Sequence, residues 1–374
     1  MWESAMDERH AYIAFNLTPG IGPQRLQALI KHCGSAAAAW SATLDDWRAA
    51  GLDRRSIQAL QHAQQHLDLE AELRTIAEQN IKVVLQTDSD FPAMLHTIDP
   101  VPPLLYLRGS LIETDRWAVA IVGTRNPTPY GREVTYKFAG ELARAGLTVV
   151  SGLALGIDAI AHRTALDNNG RTLAVLGSGL QQIYPSQHRQ LAADVSQQGA
   201  LLSEYAPTTE PLSGNFPARN RLISGLSLAT IVVEAGERSG ALITARFALE
   251  QGRDVFAVPG SILSHSSDGP NQLIVDGATP LRSVEQLLEQ LNLHQAQAQQ
   301  TVSTIVPETP AEALLLPHLS GQPTHIDELG RSCGLAAHDL AATLGLMELK
   351  GMVRHVGGMH YVLARETPAP YDLS

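Results

Sequence analysis

The feature that most constrains this chain is a change of hydrophobic period at Trp117. Six short apolar runs follow, at 117–123 (WAVAIVG), 148–152 (TVVSG), 172–178 (TLAVLGS), 199–205 (GALLSEY), 228–235 (LATIVVEA) and 254–260 (DVFAVPG), with stretches of helical spacing between them. Strands buried on both faces of a parallel sheet read this way, because the crossover helices cover both sides. The expected fold class is α/β, with an extended, Rossmann-like, doubly wound and mostly parallel sheet. Its ligand crevice should lie at the carboxyl ends of the strands. Gly123, Gly152, Gly156, Gly177, Gly179, Gly236, Gly240 and Gly260 all fall at or just beyond those ends.

The flanks have other periods. Residues 10–80 carry apolar positions at helical spacing, broken at Pro19-Gly20-Ile21-Gly22-Pro23 and near Gly51. Residues 1–80 are therefore expected to form a helix-hairpin-helix or SAM-like domain, and 81–291 the sheet domain. A Gly-apolar-Gly turn can offer backbone N–H groups to a phosphate at the start of its second helix, but a tight turn without ligand fits Gly20-Ile21-Gly22 as well. Residues 292–310 are Gln/Ala-rich and then Thr/Pro-rich, the composition of a linker. Helix, helix-turn-helix and a glycine-turned hairpin follow over 311–365, as in a winged helix. The recognition helix would offer His338, Asp339, Glu348 and Lys350, a poor set for phosphates or guanines, so a protein-contact or regulatory role is favoured there.

Composition excludes several classes. The 374 residues are 44% hydrophobic, enough for two or three domains. Cys33 and Cys333 are far apart and lack metal-ligand spacing, so neither a disulfide framework nor a metal site is expected. The start (MWESAMDERH) lacks the basic and apolar regions of a signal peptide, and no apolar run approaches the length of a membrane span. A cytoplasmic protein with no membrane partner is expected. The formal net charge of −11 argues against bulk coating of duplex DNA. Even 111–291 carries 14 Lys+Arg against 17 Asp+Glu, so any nucleic-acid surface must be a local groove.

Gly214 to Ser224 (GNFPARNRLIS) places an aromatic ring and two guanidinium groups before a strand. A phenylalanine that stacks on a base, with Arg219 and Arg221 on phosphates, suits single-stranded nucleic acid; a core Phe with two solvated arginines is the plain alternative. Gly123-Thr124-Arg125, at another strand end, is a second phosphate-cradle candidate. A nicotinamide cofactor is not expected, because the first turn is Gly123-Thr124-Arg125-Asn126-Pro127 rather than GxGxxG and the second strand ends in Ser151-Gly152 without an acidic residue. A GxxxxGK[ST] loop is missing too. A nucleotide-cleaving enzyme of the lysine-decarboxylase-like type is the rival reading, since Glu234 to Gly240 loosely resembles its site; its PGGxGTxxE stretch, however, is not present. Ser239-Gly240 should open a helix, capped by Ser239, with its N–H groups facing the crevice.

Six ordered blocks carry a resemblance: GTR (123–125), SGLALGIDAIAH (151–162), VLGSGLQQIYPSQH (175–188), SEYAPTTEPLSGNFPARNRLISGLS (203–227), VVEAGERSGALITARFALEQGRDVFAVPG (232–260) and GPNQLIVDGA (269–278). Together they resemble the DNA-processing protein A family, DprA or Smf, over nearly the whole chain. The resemblance implies a homodimer that binds incoming single-stranded DNA during natural transformation and loads the RecA recombinase on it, without catalysis or cofactor. By position it implies Arg125 as main phosphate ligand, Arg219 and Arg221 lining the same pocket, and Phe216 beside a base. Gly123, Thr124, Ser151, Gly152, Gly177, Asn215, Asn220, Arg238, Ser239 and Gly240 complete the expected DNA-binding set. Two positions depart from it: some members place lysines where Leu155 and Ser213 stand. Asp158 and His162 could suggest catalysis in isolation, but a dipole-stabilising carboxylate and a packed imidazole are the expected roles.

Overall fold

The computed structural model describes residues 6–293, 309–319, 324–349 and 352–363. The linker expected at 292–310 falls largely on 294–308, and that stretch, with Lys350 and residues 364–365, lies outside the described residues. The chain divides into two compact units, Met1–Leu287 and Leu288–Ser374.

In the first unit, six helices come before the sheet: α1 (Glu8–Leu17), α2 (Pro23–Cys33), α3 (Ala36–Trp40), α4 (Leu44–Ala49), α5 (Arg54–His66) and α6 (Leu69–Glu78). Polar caps start several of them, with Asp7, Ser35, Thr43, Asp53 and Asp68 each accepting a backbone N–H of the first turn. The Gly-Ile-Gly turn before α2 is closed on itself. Arg25 donates to Gly20 O (2.6 Å) and pairs with Asp53, the cap of α5 (2.6 Å), so its charge is engaged among the N-terminal helices.

Nine strands form one sheet among the described residues. They are β1 (Lys82–Leu85), β2 (Leu104–Gly109), β3 (Ala118–Val122), β4 (Thr148–Ser151), β5 (Thr172–Val175), β6 (Ala200–Ser203), β7 (Ala229–Val232), β8 (Asp254–Ala257) and β9 (Thr279–Pro280), in the order β1-β2-β6-β5-β4-β3-β7-β8-β9. The stretch from β6 to β9 is parallel, and β1 and β2 extend it antiparallel beyond β6. All six apolar runs read from the sequence are strands of this sheet. The hairpin β1–β2 escaped that reading, although Val83-Val84-Leu85 and Leu104-Leu105-Tyr106-Leu107 are apolar, because prolines crowd the connection between them.

Helices α7 (Pro129–Arg144), α8 (Ile157–Asp167), α9 (Arg189–Gln198), α10 (Asn215–Gly225), α11 (Gly240–Glu250), α12 (Asp268–Val275) and α13 (Val284–Gln290) supply the crossovers and the end of the unit. One sheet face shares a core with the N-terminal helices, including Phe15, Trp47, Leu60, Leu104, Tyr106 and Leu176. The other face packs Leu105, Ala120, Val150, Leu222, Ile223 and Ala245. Strand order runs outward from β3 to β6 on one side and from β7 to β9 on the other. The reversal between β3 and β7 is the switch point at which a doubly wound sheet opens a crevice.

In the second unit, α14 (Pro310–Leu315), α15 (Ile326–Cys333) and α16 (Ala337–Leu349) pack on a three-stranded sheet of β10 (Thr324–His325), β11 (Val353–His355) and β12 (His360–Leu363), ordered β10-β12-β11. Leu315, Leu329, Leu340, Leu344, Met347 and Val353 form its core. This is the winged helix expected from the sequence, with one strand, β10, added to the hairpin. On α16, His338 lies 2.9 Å from Asp339, and Glu348 accepts from the backbone N–H of His355 on β11.

Candidate nucleic-acid interface

A cavity of about 800 Å³ opens at the switch point. Its walls come from the turn after β3, the start of α10 and the turn from β7 into α11. Of the residues singled out in the sequence, Gly123, Thr124, Arg125, Phe216, Arg219, Asn220, Arg238, Ser239 and Gly240 line it.

The Gly123-Thr124-Arg125 turn is held from both sides. Thr124 N donates to Glu234 O (2.7 Å), and Ile157 N donates to Thr124 O (3.2 Å). The second contact needs Gly156, which has φ +76° and no room for a Cβ, since one would meet Thr124 O at 2.4 Å. With its backbone fixed, the turn leaves the Arg125 side chain exposed. Its guanidinium carbon sits 5.9 Å from the centroid of the Phe216 ring. A cation beside an aromatic face at the mouth of a cavity can take a phosphate and a ring of one nucleotide together.

Phe216 belongs to the first turn of α10. Gly177 lies against its ring, and a Cβ at 177 would meet Phe216 Cδ1 at 2.8 Å. Gly177 thus supports the ring from behind and does not face the ligand space. Tyr184, which the sequence reading did not single out, has its ring centroid 5.5 Å from that of Phe216. Ser239 caps α11 as expected, accepting from Ala241 N (3.3 Å).

Arg219 is only 4% exposed and forms the cavity floor. Its guanidinium donates to Gly152 O (2.9 Å) and to Val175 O, and its Nε to Asn220 Oδ1 (3.2 Å). It ties together the carboxyl ends of β4 and β5. Burial lowers its pKa to about 10, against the opposing pull of nearby Asp158, so it is cationic at neutral pH. Asp158, on the first turn of α8, accepts from Gly152 N (3.1 Å) and Ala154 N (3.3 Å). Burial raises its pKa, and Arg219 and these N–H groups pull the other way. Gly152 sits directly against the Arg219 guanidinium and borders a smaller adjoining cavity with Leu155, one of the two departures. The other, Ser213, lines the main cavity.

Three expected site residues lie elsewhere. Arg221 does not share the pocket with Arg219: two positions apart on a helix, the side chains leave α10 roughly 200° apart. Arg221 instead pairs with Glu204 at 2.6 Å and lines a different cavity, beside the Gly20-Ile21-Gly22 turn. Ser151 is fully buried and donates to Ile121 O (2.7 Å), so its hydroxyl belongs to the sheet. Asn215 is the first residue of α10 and does not border the main cavity; its carbonyl accepts from Tyr205 Oη (3.4 Å).

Glu237 also lines the cavity, whereas Glu234 and His162 have structural roles. Glu234 accepts from Thr128 N (2.9 Å) and Thr128 Oγ1 (2.5 Å) at the start of α7. His162 is fully buried, and its Nδ1 lies 2.7 Å from Thr172 Oγ1. That hydroxyl donates to Val149 O, so Nδ1 carries the imidazole proton. Burial, with His188 and Arg219 adding to it, lowers the His162 pKa to about 3 and keeps the ring neutral.

This arrangement defines a class: a doubly wound α/β protein whose switch-point crevice presents guanidinium groups and an aromatic ring, with a winged helix following in the chain. Residues 82–292 match the family described as DNA recombination-mediator protein A, and residues 299–359 match the DprA winged helix domain. The chain belongs to the DNA recombination-mediator protein A family. Protein Smf of Synechocystis is 36% identical over 394 residues, spanning 96% of this chain and 99% of that protein. DNA processing protein A from Streptococcus pneumoniae superposes with a TM-score of 0.67 at 35% identity, over 75% of this chain and 97% of its own. The Helicobacter pylori protein, whose structure concerns its single-stranded DNA binding mode, gives a TM-score of 0.52 at 33% identity, over 56% and 95%.

Proposed function

We propose that this protein is a single-stranded DNA-binding recombination mediator, which protects incoming single strands and loads RecA on them during natural transformation. The observation that carries the reading is the exposed Arg125 guanidinium beside the Phe216 ring at the mouth of the switch-point cavity. A phosphate held by Arg125 brings the adjoining base to the ring, and only an unpaired base can lie on it. Gly123 and Thr124 shape the turn, Arg219 adds charge from the floor, and Asn220, Arg238, Ser239 and Gly240 continue the wall. No step of chemistry and no cofactor belong to this role. The binding described for the Helicobacter pylori relative supports it.

The proposed protein is a cytoplasmic homodimer; among the described residues no helix is long and apolar enough to cross a membrane. Ile262 and Leu263, adjacent and 88% and 92% exposed, support self-association. The proposed boundaries are 1–80 for the helical domain, 81–291 for the DNA-binding domain, 292–310 for the linker and 311–365 for the winged helix, the last serving a protein contact. A gel-shift comparison of single-stranded with duplex DNA tests the reading. Preference for the single strand, without turnover of nucleoside monophosphates, is expected. Equal affinity for duplex, or such turnover, would overturn it.

A further inference from the structure

Tyr184 lies in the loop after β5, and that loop is pinned. Ser178 Oγ donates to Gln182 O (2.6 Å), Gln182 N to Gly179 O (2.9 Å), and Gln181 N to Pro207 O (3.0 Å). Tyr184 is 47% exposed and borders both the main cavity and the smaller one beside it. Phe216 borders both as well, with the two ring planes inclined by 46°. A core role does not account for a half-exposed ring held on a fixed loop beside a second ring and an arginine.

We propose that Phe216 and Tyr184 form a two-ring shelf that takes two successive unpaired nucleobases, one against each ring, and thereby selects strands whose bases are not stacked on each other. This rests on the single-strand reading above. At a centroid separation of 5.5 Å no base fits between the rings, since a sandwiched base needs about 3.5 Å on each side. Each ring therefore offers its outward surface. Two bases so placed inherit the 46° inclination, whereas neighbouring bases in a duplex or a stacked purine run are parallel. The strand must give up base–base stacking to bind, which costs least for thymine and most for adenine. Sequence preference then follows stacking strength rather than hydrogen-bond readout.

The test is fluorescence anisotropy of the full chain with dT and dA oligonucleotides of equal length. Tyr184→Ala, Tyr184→Leu, Tyr184→Phe and Phe216→Ala are compared with the unaltered protein, and melting is recorded for each. The shelf predicts that the unaltered protein binds dT more tightly than dA. It predicts that Tyr184→Ala and Tyr184→Leu weaken dT binding by about fivefold or more, the worth of a single base–ring stack, and that Tyr184→Phe retains it. Tyr184→Leu preserves bulk, so its loss of affinity at unchanged melting separates stacking from packing. Weak binding by Phe216→Ala with Tyr184→Ala unaffected overturns the shelf and leaves the pocket reading standing; unaffected binding in both overturns the two together. Loss in Tyr184→Phe assigns the effect to the hydroxyl, and equal affinity for dT and dA removes the selection; either result overturns the proposal.

Discussion

Arg221→Ala removes a guanidinium whose role the fold has reassigned. The Arg221–Glu204 pair is 2.6 Å long, with side chains 7% and 11% exposed, so truncation leaves the Glu204 carboxylate in a poorly solvated site without its partner. Burial already raises the Glu204 pKa against the pull of Arg221. Breaking a buried pair in this manner costs about 3–5 kcal/mol. At about 2 °C per kcal/mol, the low end for larger domains, the melting midpoint falls by roughly 6–10 °C. Replacing both partners with apolar residues, Arg221→Met with Glu204→Leu, removes the orphaned charge and should recover most of that loss. Melting followed by circular dichroism, together with single-strand affinity measured well below the midpoint, separates the possible roles. The structure predicts lowered melting with affinity nearly kept for Arg221→Ala. Unaltered melting with lost affinity would refute the placement of Arg221 away from the DNA site.

Gly177→Ala should weaken single-strand binding by up to about 1–3 kcal/mol, the worth of one base stack, since its Cβ displaces the Phe216 ring; anisotropy that matches the unaltered protein would count against the Gly177 support. Leu155→Lys with Ser213→Lys, at two positions bordering the cavities, should tighten binding and steepen log K against log salt by roughly 0.7 for each phosphate newly neutralised. No gain at low salt would show that the strand does not pass there. Because the folded His162 pKa lies below the unfolded value, its neutral ring gives full stability above pH 6.5. That stability is lost as pH falls toward 3, at about 1.4 kcal/mol per pH unit. His162→Leu should flatten this acid limb in denaturant titrations, and an identical limb would contradict the buried neutral imidazole.

The parallel sheet was legible because β3 to β8, Asp254 apart, are buried on both faces and so read as short, mainly apolar runs. The cavity rim was legible for a related reason: Gly123-Thr124-Arg125 follows β3 directly and Ser239-Gly240 opens the helix after β7, so chain order alone places both on one side of the sheet. What the sequence withheld was side-chain direction. Arg219 and Arg221 look equivalent in GNFPARNRLIS until helical rotation sends one to the cavity floor and the other to Glu204. Ser151 likewise looked like a crevice residue, but its position within β4 turns the hydroxyl to Ile121 O. Tyr184 was hidden because its partner Phe216 is distant in sequence, and the pairing exists only once the loop after β5 meets the start of α10.

In the proposed role, the exposed Arg125 guanidinium holds a phosphate of single-stranded DNA at the switch point. The salt dependence of single-strand affinity, compared between Arg125→Ala and the unaltered protein, tests this contact. Weaker binding at every salt concentration is expected, with a slope of log K against log salt reduced by roughly 0.7 for each phosphate that Arg125 neutralises and with melting unchanged. Equal affinity and equal slope in the two proteins would contradict it.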